Sequence, residues 1–195
     1  MQGLELAKRY YEEVGRPMLE RDFPELLPRL AAGLVGEGSE CLGFDDAISQ
    51  DHDFGAGFDL WLSAEDYNQY GKALQDAYDR LPGEFAGIPA RLTSARGGGR
   101  VGVFEIEAFY SRFIGMEQPP KSLMRWLHLP EDKLAAVVGG AVFEDGLGEF
   151  SAIREAIRKY YPEDVRIKKI AARAAKMAQS GQYNYGRCMR RGDTV

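Results

Sequence analysis

Two acids one residue apart, Asp51 and Asp53, and the pair Gly38-Ser39 are the side chains of this 195-residue sequence best suited to chemistry; eleven residues lie between Ser39 and Asp51. In a strand, alternate side chains share a face, so Asp51 and Asp53 point one way and His52 the other. Two carboxylates on one face repel. A hard divalent cation between them relieves the repulsion, and Mg²⁺ characteristically takes only one or two protein carboxylates, leaving its other positions to water and substrate phosphate. Gly38, at the end of an apolar run, lets the backbone turn tightly and approach a ligand. Its amide, with the amide and hydroxyl of Ser39, can cradle phosphate oxygens.

Other chemistry-bearing residues carry weaker patterns. Asp51, Asp53 and Gly55 begin like a calcium loop, but the fifth, sixth and twelfth positions are Gly55, Ala56 and Leu62, where a ligand, a glycine and a glutamate are required. His52 is expected to pack away from the metal face, and His128 to sit near a helix end at the surface. Cys41 is expected to be a small buried residue, since nothing near it in sequence activates a thiol. Asp45 and Asp46 suit the cap of a short helix. The tip Gly97–Arg100 lacks the spacing of a defined phosphate loop and reads as a hairpin turn. Arg187, Arg190 and Arg191 share one helical face by their spacing and read as a solvated face.

The elements that must position these residues follow from periodicity and punctuation. Leu4, Ala7, Tyr11, Val14 and Met18 mark one face of a helix to about Arg21, which Pro24 and Pro28 then break. The run LAAGLV is a buried strand leading into Gly36–Ser39, and a second strand is expected from Asp51 to Leu62, with Gly55 and Gly57 marking a bulge or close backbone approach. Ser63 caps a helix that Pro82-Gly83 stops. IPARLTSA and GRVGVFEI read as two strands joined by the glycine-rich tip. Short helices over 107–115 and 122–129 follow, then a helix opened by Pro130, a strand near 141–143, and helices over 149–161 and 163–180. Tyr10-Tyr11, Tyr160-Tyr161, Trp61 and Trp126 are expected to pack helices. The fold class is α/β (α+β), a small mixed sheet flanked by helices with additional C-terminal helices.

Composition is that of a globular chain, with 45% hydrophobic and 28% charged residues. No apolar run approaches the roughly 20 residues needed to span a bilayer, and MQGLELAKRYYEE is an amphipathic charged helix rather than a signal peptide. A cytoplasmic location with no membrane partner is expected. Cys41 and Cys188 make no disulfide framework, and with two histidines the chain has no zinc set. The net charge of −5 is unevenly spread: Ser151 to Val195 carries +7 and the preceding residues −12. The acidic part argues against DNA or bulk nucleic-acid binding, while the basic end leaves room for a phosphate-rich ligand or RNA.

The pattern apolar-Gly-Ser, eleven residues, Asp-x-Asp resembles the signature of the nucleotidyltransferase superfamily related to DNA polymerase beta. GEGSECLGFDDAISQDHDFG is similar to an uncharacterised bacterial family within it, and the likeness extends to YYPEDVRIKKIAA and GQYNYGRCMRRGD. The resemblance implies a nucleotidyltransferase-like domain over 1–148 and, over 149–195, the start of a helical domain opened by the arginine-rich segment. It implies Mg²⁺ held by Asp51 and Asp53, the triphosphate of ATP or another nucleotide bound by Gly38 and Ser39, and a third carboxylate on a neighbouring strand, for which Glu105 and Glu107 are the candidates. The implied reaction is transfer of a nucleoside monophosphate, most naturally AMP, to a hydroxyl of a small molecule, protein or RNA. Neither glutamate lies in an apolar-Asp-apolar strand, so the alternative is a catalytically inactive nucleotide-binding or antitoxin-like interaction module.

Overall fold

A computed structural model describes residues 2–45, 54–91 and 100–192. The first amphipathic stretch forms α1 (Gly3–Tyr10) and α2 (Arg16–Asp22), joined by one π-helical turn, Tyr11–Gly15. There the helix must pass an aromatic ring, since a Cβ on Gly15 would stand 2.4 Å from Phe58 Cζ. β1 (Ala31–Leu34) follows the proline-bounded turns and leads into α3 (Ser39–Leu42). β2 (Asp59–Leu62) precedes α4 (Ala64–Tyr78), whose cap is the expected one: Ser63 Oγ accepts the Asp66 N–H at 3.2 Å.

β3 (Glu84–Phe85) and β4 (Ile88–Pro89) form a short hairpin, after which come β5 (Gly102–Glu105) and α5 (Ile106–Ile114). The remaining elements are α6 (Leu123–His128), α7 (Glu131–Val138), β6 (Ala141–Asp145), α8 (Glu149–Arg158), α9 (Glu163–Gln179) and, after a π-helical stretch over Ser180–Tyr185, α10 (Gly186–Arg191). Among the described residues no helix is long and apolar enough to cross a membrane.

The chain divides into two compact units, Met1–Pro119 with Pro130–Lys159, and Pro120–Leu129 with Tyr160–Val195. The first holds a mixed sheet in the order β5-β2-β1-β6. β1 is antiparallel to both β2 and β6, and β5 is parallel to β2, α4 making the crossover between them. All four residues of β2 are buried because both faces of the sheet are covered. Leu60 and Leu62 join Leu6, Tyr10, Leu19 and Leu74 in one core layer. Trp61, on the other face, stacks on Phe150 of α8 at 3.9 Å between ring centroids and meets Phe109 of α5 edge-on at 5.3 Å. Phe150 thereby ties α8, grouped with the C-terminal helices on sequence grounds, into this sheet.

In the second unit, Trp126 meets Tyr161 edge-on, and Leu129 O accepts bonds from Tyr161 Oη at 2.6 Å and Lys169 Nζ at 2.9 Å. Beyond this contact the helix from α9 to α10 is solvated, Val165 being its one buried residue.

Two expectations about strands are corrected. The second strand is described only over Asp59–Leu62, and the preceding Phe54–Phe58 is not part of it, making instead an isolated bridge from Ala56 to Ala90. A Cβ on Gly55 would lie 2.8 Å from Pro89 O, so the glycine does mark a close backbone approach. Of the IPARLTSA segment only residues 88–91 are described: Ile88-Pro89 pairs with Glu84-Phe85 rather than with GRVGVFEI, whose strand β5 pairs with β2, and the rest of the segment and the glycine-rich tip before Arg100 lie outside the described residues. Ala86 and Gly87 both have positive φ (52° and 78°), which closes the two-residue turn between β3 and β4.

Candidate functional site

At the carboxyl end of β1 the chain turns through Val35-Gly36-Glu37-Gly38 into α3. Gly38 has φ +127°, and a Cβ there would stand 2.0 Å from an Arg100 guanidinium nitrogen and 2.8 Å from both carboxylate oxygens of Glu40. The backbone angle is what requires glycine here, since the ends of the Arg100 and Glu40 side chains can shift from a Cβ. Gly38 O accepts the Leu42 N–H at 3.1 Å, and Ser39, half-buried, opens α3.

Glu40 is 4% exposed and pairs with Arg91, whose side chain is 5% exposed, and with Arg100 at 3.3 Å. Arg91 is held by the backbone of a distant segment: its Nε donates to Gly55 O at 3.1 Å and its backbone N–H to Ala56 O at 2.8 Å. Arg100 also donates to Glu37 O at 2.5 Å. A carboxylate this deeply buried is tolerable only with such partners, so Glu40, Arg91 and Arg100 form one unit. Glu37, more exposed, accepts Lys133 Nζ at 2.9 Å, and that bond holds its carboxyl below the usual range against a small opposing effect of burial.

Val35, Gly36, Glu37, Arg91, Arg100, Arg112 and Phe113 line a small depression, about 10 Å³ in volume and partly open to solvent, at this end of β1. The Arg112 guanidinium lies 5.4 Å from the centre of the Phe113 ring. Asp59 is fully buried beside this depression: its Oδ2 accepts the Val35 N–H at 3.1 Å, and its Oδ1 has no hydrogen-bond partner among the described residues. Burial raises its carboxyl well above the ordinary range, the Val35 bond and the charges of Arg91, Arg112 and Arg100 opposing the rise only in part.

Strand direction decides which expected site residues meet. β2 runs antiparallel to β1 and parallel to β5, so the carboxyl end of β1 lies beside Asp59 and Gly102. Glu105 pairs with Leu62, three positions farther along, roughly 10 Å away at about 3.3 Å per residue. Glu107 begins α5 at that same edge and accepts a bond from Gln118 Nε2 at 3.0 Å. Gly38 and Ser39 are thus brought together with Arg91, Arg100 and Glu40, and not with Glu105 or Glu107. α5 returns along the sheet and delivers Arg112 to the depression. Asp51 and Asp53, with His52 and Asp46, lie outside the described residues.

The other singled-out residues have structural surroundings. Asp45 caps α1 rather than a helix of its own connector, accepting the Gly3 N–H at 2.6 Å. Cys41 is buried, which pushes its thiol up to about 12. His128 is exposed, its Nδ1 lying 2.7 Å from Met124 O. Arg187, Arg190 and Arg191 are exposed on α10. Glu40, Asp59, Arg91 and Arg112 escaped the sequence reading, although Asp59 had a visible signal, an acid inside the apolar run FDLWL.

Residues 126–195 match the model of a family described as a domain of unknown function, DUF4037. The match begins in α6 and includes neither the Gly38 turn nor β1, β2 and β5. No curated protein and no solved structure matches the chain.

Proposed function

We propose that this chain is a Mg²⁺-dependent nucleotidyltransferase that moves a nucleoside monophosphate, most naturally AMP from ATP, onto a hydroxyl of an acceptor. The observation carrying the reading is the Gly38-Ser39 turn at the carboxyl end of β1, next to a depression whose lining, among the described residues, includes Glu37, Arg91, Arg100 and Arg112. In this reading the Gly38 and Ser39 amides and the Ser39 hydroxyl orient a triphosphate, with Arg100 beside them. Asp51 and Asp53 hold the metal, which when bound stabilises charge on the attacking and leaving oxygens. Among the described residues no three His, Cys, Asp or Glu side chains converge as a metal set, so the metal assignment rests on the two aspartates.

A second reading has its own support. Glu105 and Glu107, the candidates for a third carboxylate, sit at the opposite edge of the sheet from Gly38. That placement favours a nucleotide-binding module without turnover.

Calorimetric titration of ATP with and without Mg²⁺ into the wild type and the Asp51→Asn and Asp53→Asn variants tests both readings, alongside release of pyrophosphate from ATP. Metal-dependent binding lost in both variants, with multiple turnovers, is the result expected of the enzyme. Binding with no turnover on any hydroxyl acceptor supports the module, and binding indifferent to both substitutions refutes the aspartate site.

A further inference from the structure

The helix that runs from α9 to α10 is amphipathic, and the side it packs is not its apolar side. Within the second unit it is held along one line of four-residue steps: Tyr161 meets Trp126 edge-on, Val165 is buried, and Lys169 reaches Leu129 O. At about 100° per residue, Ile167, Ile170, Ala174 and Met177 fall on the side turned away from that line. Ile167, Ile170 and Met177 are 57%, 62% and 75% exposed. Their spacing alternates three and four residues, as in the seam by which one helix packs along another. Tyr185 and Met189, also exposed, continue the series from Met177 through Gly181 in steps of four. Such steps drift around a regular helix, and the wider π-helical turn over Ser180–Tyr185 takes up part of the drift.

Charge on this helix has one sign. From Val165 to Arg191 there are eight Lys or Arg and no Asp or Glu. Arg166 and Lys168 stand on either side of Ile167 in the chain, and Lys176 stands beside Met177; all three are exposed.

We infer that this stripe is a docking surface for an acidic amphipathic helix of a partner protein, one with apolar residues at the same three-and-four spacing and Glu or Asp beside them. Apolar side chains fill the seam, and the acids answer the basic side chains that border it. A second copy of the helix complements the stripe less well, because it brings like charges together with no acid beyond Asp164 to oppose them. An RNA strand uses the basic side chains but leaves Ile167, Ile170 and Met177 in water. A bilayer surface is matched by helices that present Trp, Phe or Leu, none of which occurs from Val165 to Arg191. Docking here does not depend on Asp51, Asp53 or the Gly38 turn.

The test is fluorescence anisotropy of a labelled three-heptad peptide, with Leu at the a and d positions and Glu at e and g, titrated with the full chain. One control peptide has Lys for each Glu, and another has Ser for each Leu. The wild type is expected to bind the Leu/Glu peptide at least about tenfold more tightly than either control. Ile170→Ser and Met177→Ser are each expected to weaken binding about tenfold, the loss of one buried apolar side chain. Arg166→Glu combined with Lys176→Glu is expected to weaken it by a similar factor and to flatten its dependence on salt. All four positions are exposed, and unchanged circular dichroism confirms that the variants are folded.

No binding of the Leu/Glu peptide, or equal binding of the Ser control, overturns the inference. Sedimentation velocity of the chain alone, titration of a uridine oligonucleotide and co-sedimentation with phosphatidylserine vesicles test the other occupants. A dimer, an RNA complex or a vesicle complex that Ile170→Ser disrupts assigns the stripe to that occupant and likewise overturns the acidic helix.

Discussion

Replacing Asp59 by Asn tests directly how burial sets the charge of this carboxyl. The carboxyl is fully buried, accepts one hydrogen bond from Val35 N–H, and has an ionisation pushed upward chiefly by burial. In the unfolded chain an aspartate releases its proton near pH 3.9, whereas in the folded protein it keeps the proton to higher pH. Over the interval between the two, the unfolded state binds fewer protons than the native state, so stability falls as pH rises. One proton sets the slope at up to about 1.4 kcal/mol per pH unit. The favourable contribution is complete below about pH 4 and is lost as pH climbs towards the native value.

Asn keeps the acceptor for Val35 and resembles the protonated acid in shape but does not ionise. Below about pH 4 the two proteins should therefore differ by no more than about 1 kcal/mol. From there upward the variant should gain on the wild type, with a slope of at most about 1.4 kcal/mol per pH unit. Urea denaturation of both proteins across that range, followed by circular dichroism, measures the difference. A gap that stays constant with pH would mean that Asp59 is ionised in the native protein, and that the charges of Arg91, Arg100 and Arg112 outweigh its burial.

Two further substitutions probe the framework. Gly38→Ala puts a side chain at φ +127°; it should cost about 1–3 kcal/mol of stability in urea, and an alanine variant of unaltered stability would contradict the strained backbone angle. Phe150→Ala removes the ring stacked on Trp61 and should destabilise the first unit by about 3–5 kcal/mol. A loss below about 1 kcal/mol would show that α8 is not integral to the sheet.

Much of the scaffold was legible because its signals are local. LAAGLV became β1, Ser63 capped α4 through the Asp66 N–H, and α5, α6 and α7 fell close to where glycine, serine and proline punctuation put them. Each depends on side chains acting within a turn or two of their own backbone. The hairpin between β3 and β4 has only a weak local signal, the turn pair Ala86-Gly87, beside a longer apolar run. The π-helical turn at Tyr11–Gly15 answers to Phe58, far along the chain, and has no local mark.

Local pattern and punctuation suffice for the small mixed α+β class, the Gly38-Ser39 turn after a buried strand, and the uneven charge along the chain. What that turn faces depends on long-range packing. Glu105 and Glu107 were near enough in sequence to β5 to be plausible partners of Gly38, but β1 and β5 run in opposite directions through the sheet, and this sends the two glutamates to the far edge. The same geometry brings Arg91 and Arg100 from separate segments to Glu40, and Arg112 to the depression lined by Glu37. No spacing along the chain encodes that convergence, because it depends on strand direction, on which face a helix returns over, and on the need to neutralise a buried carboxylate.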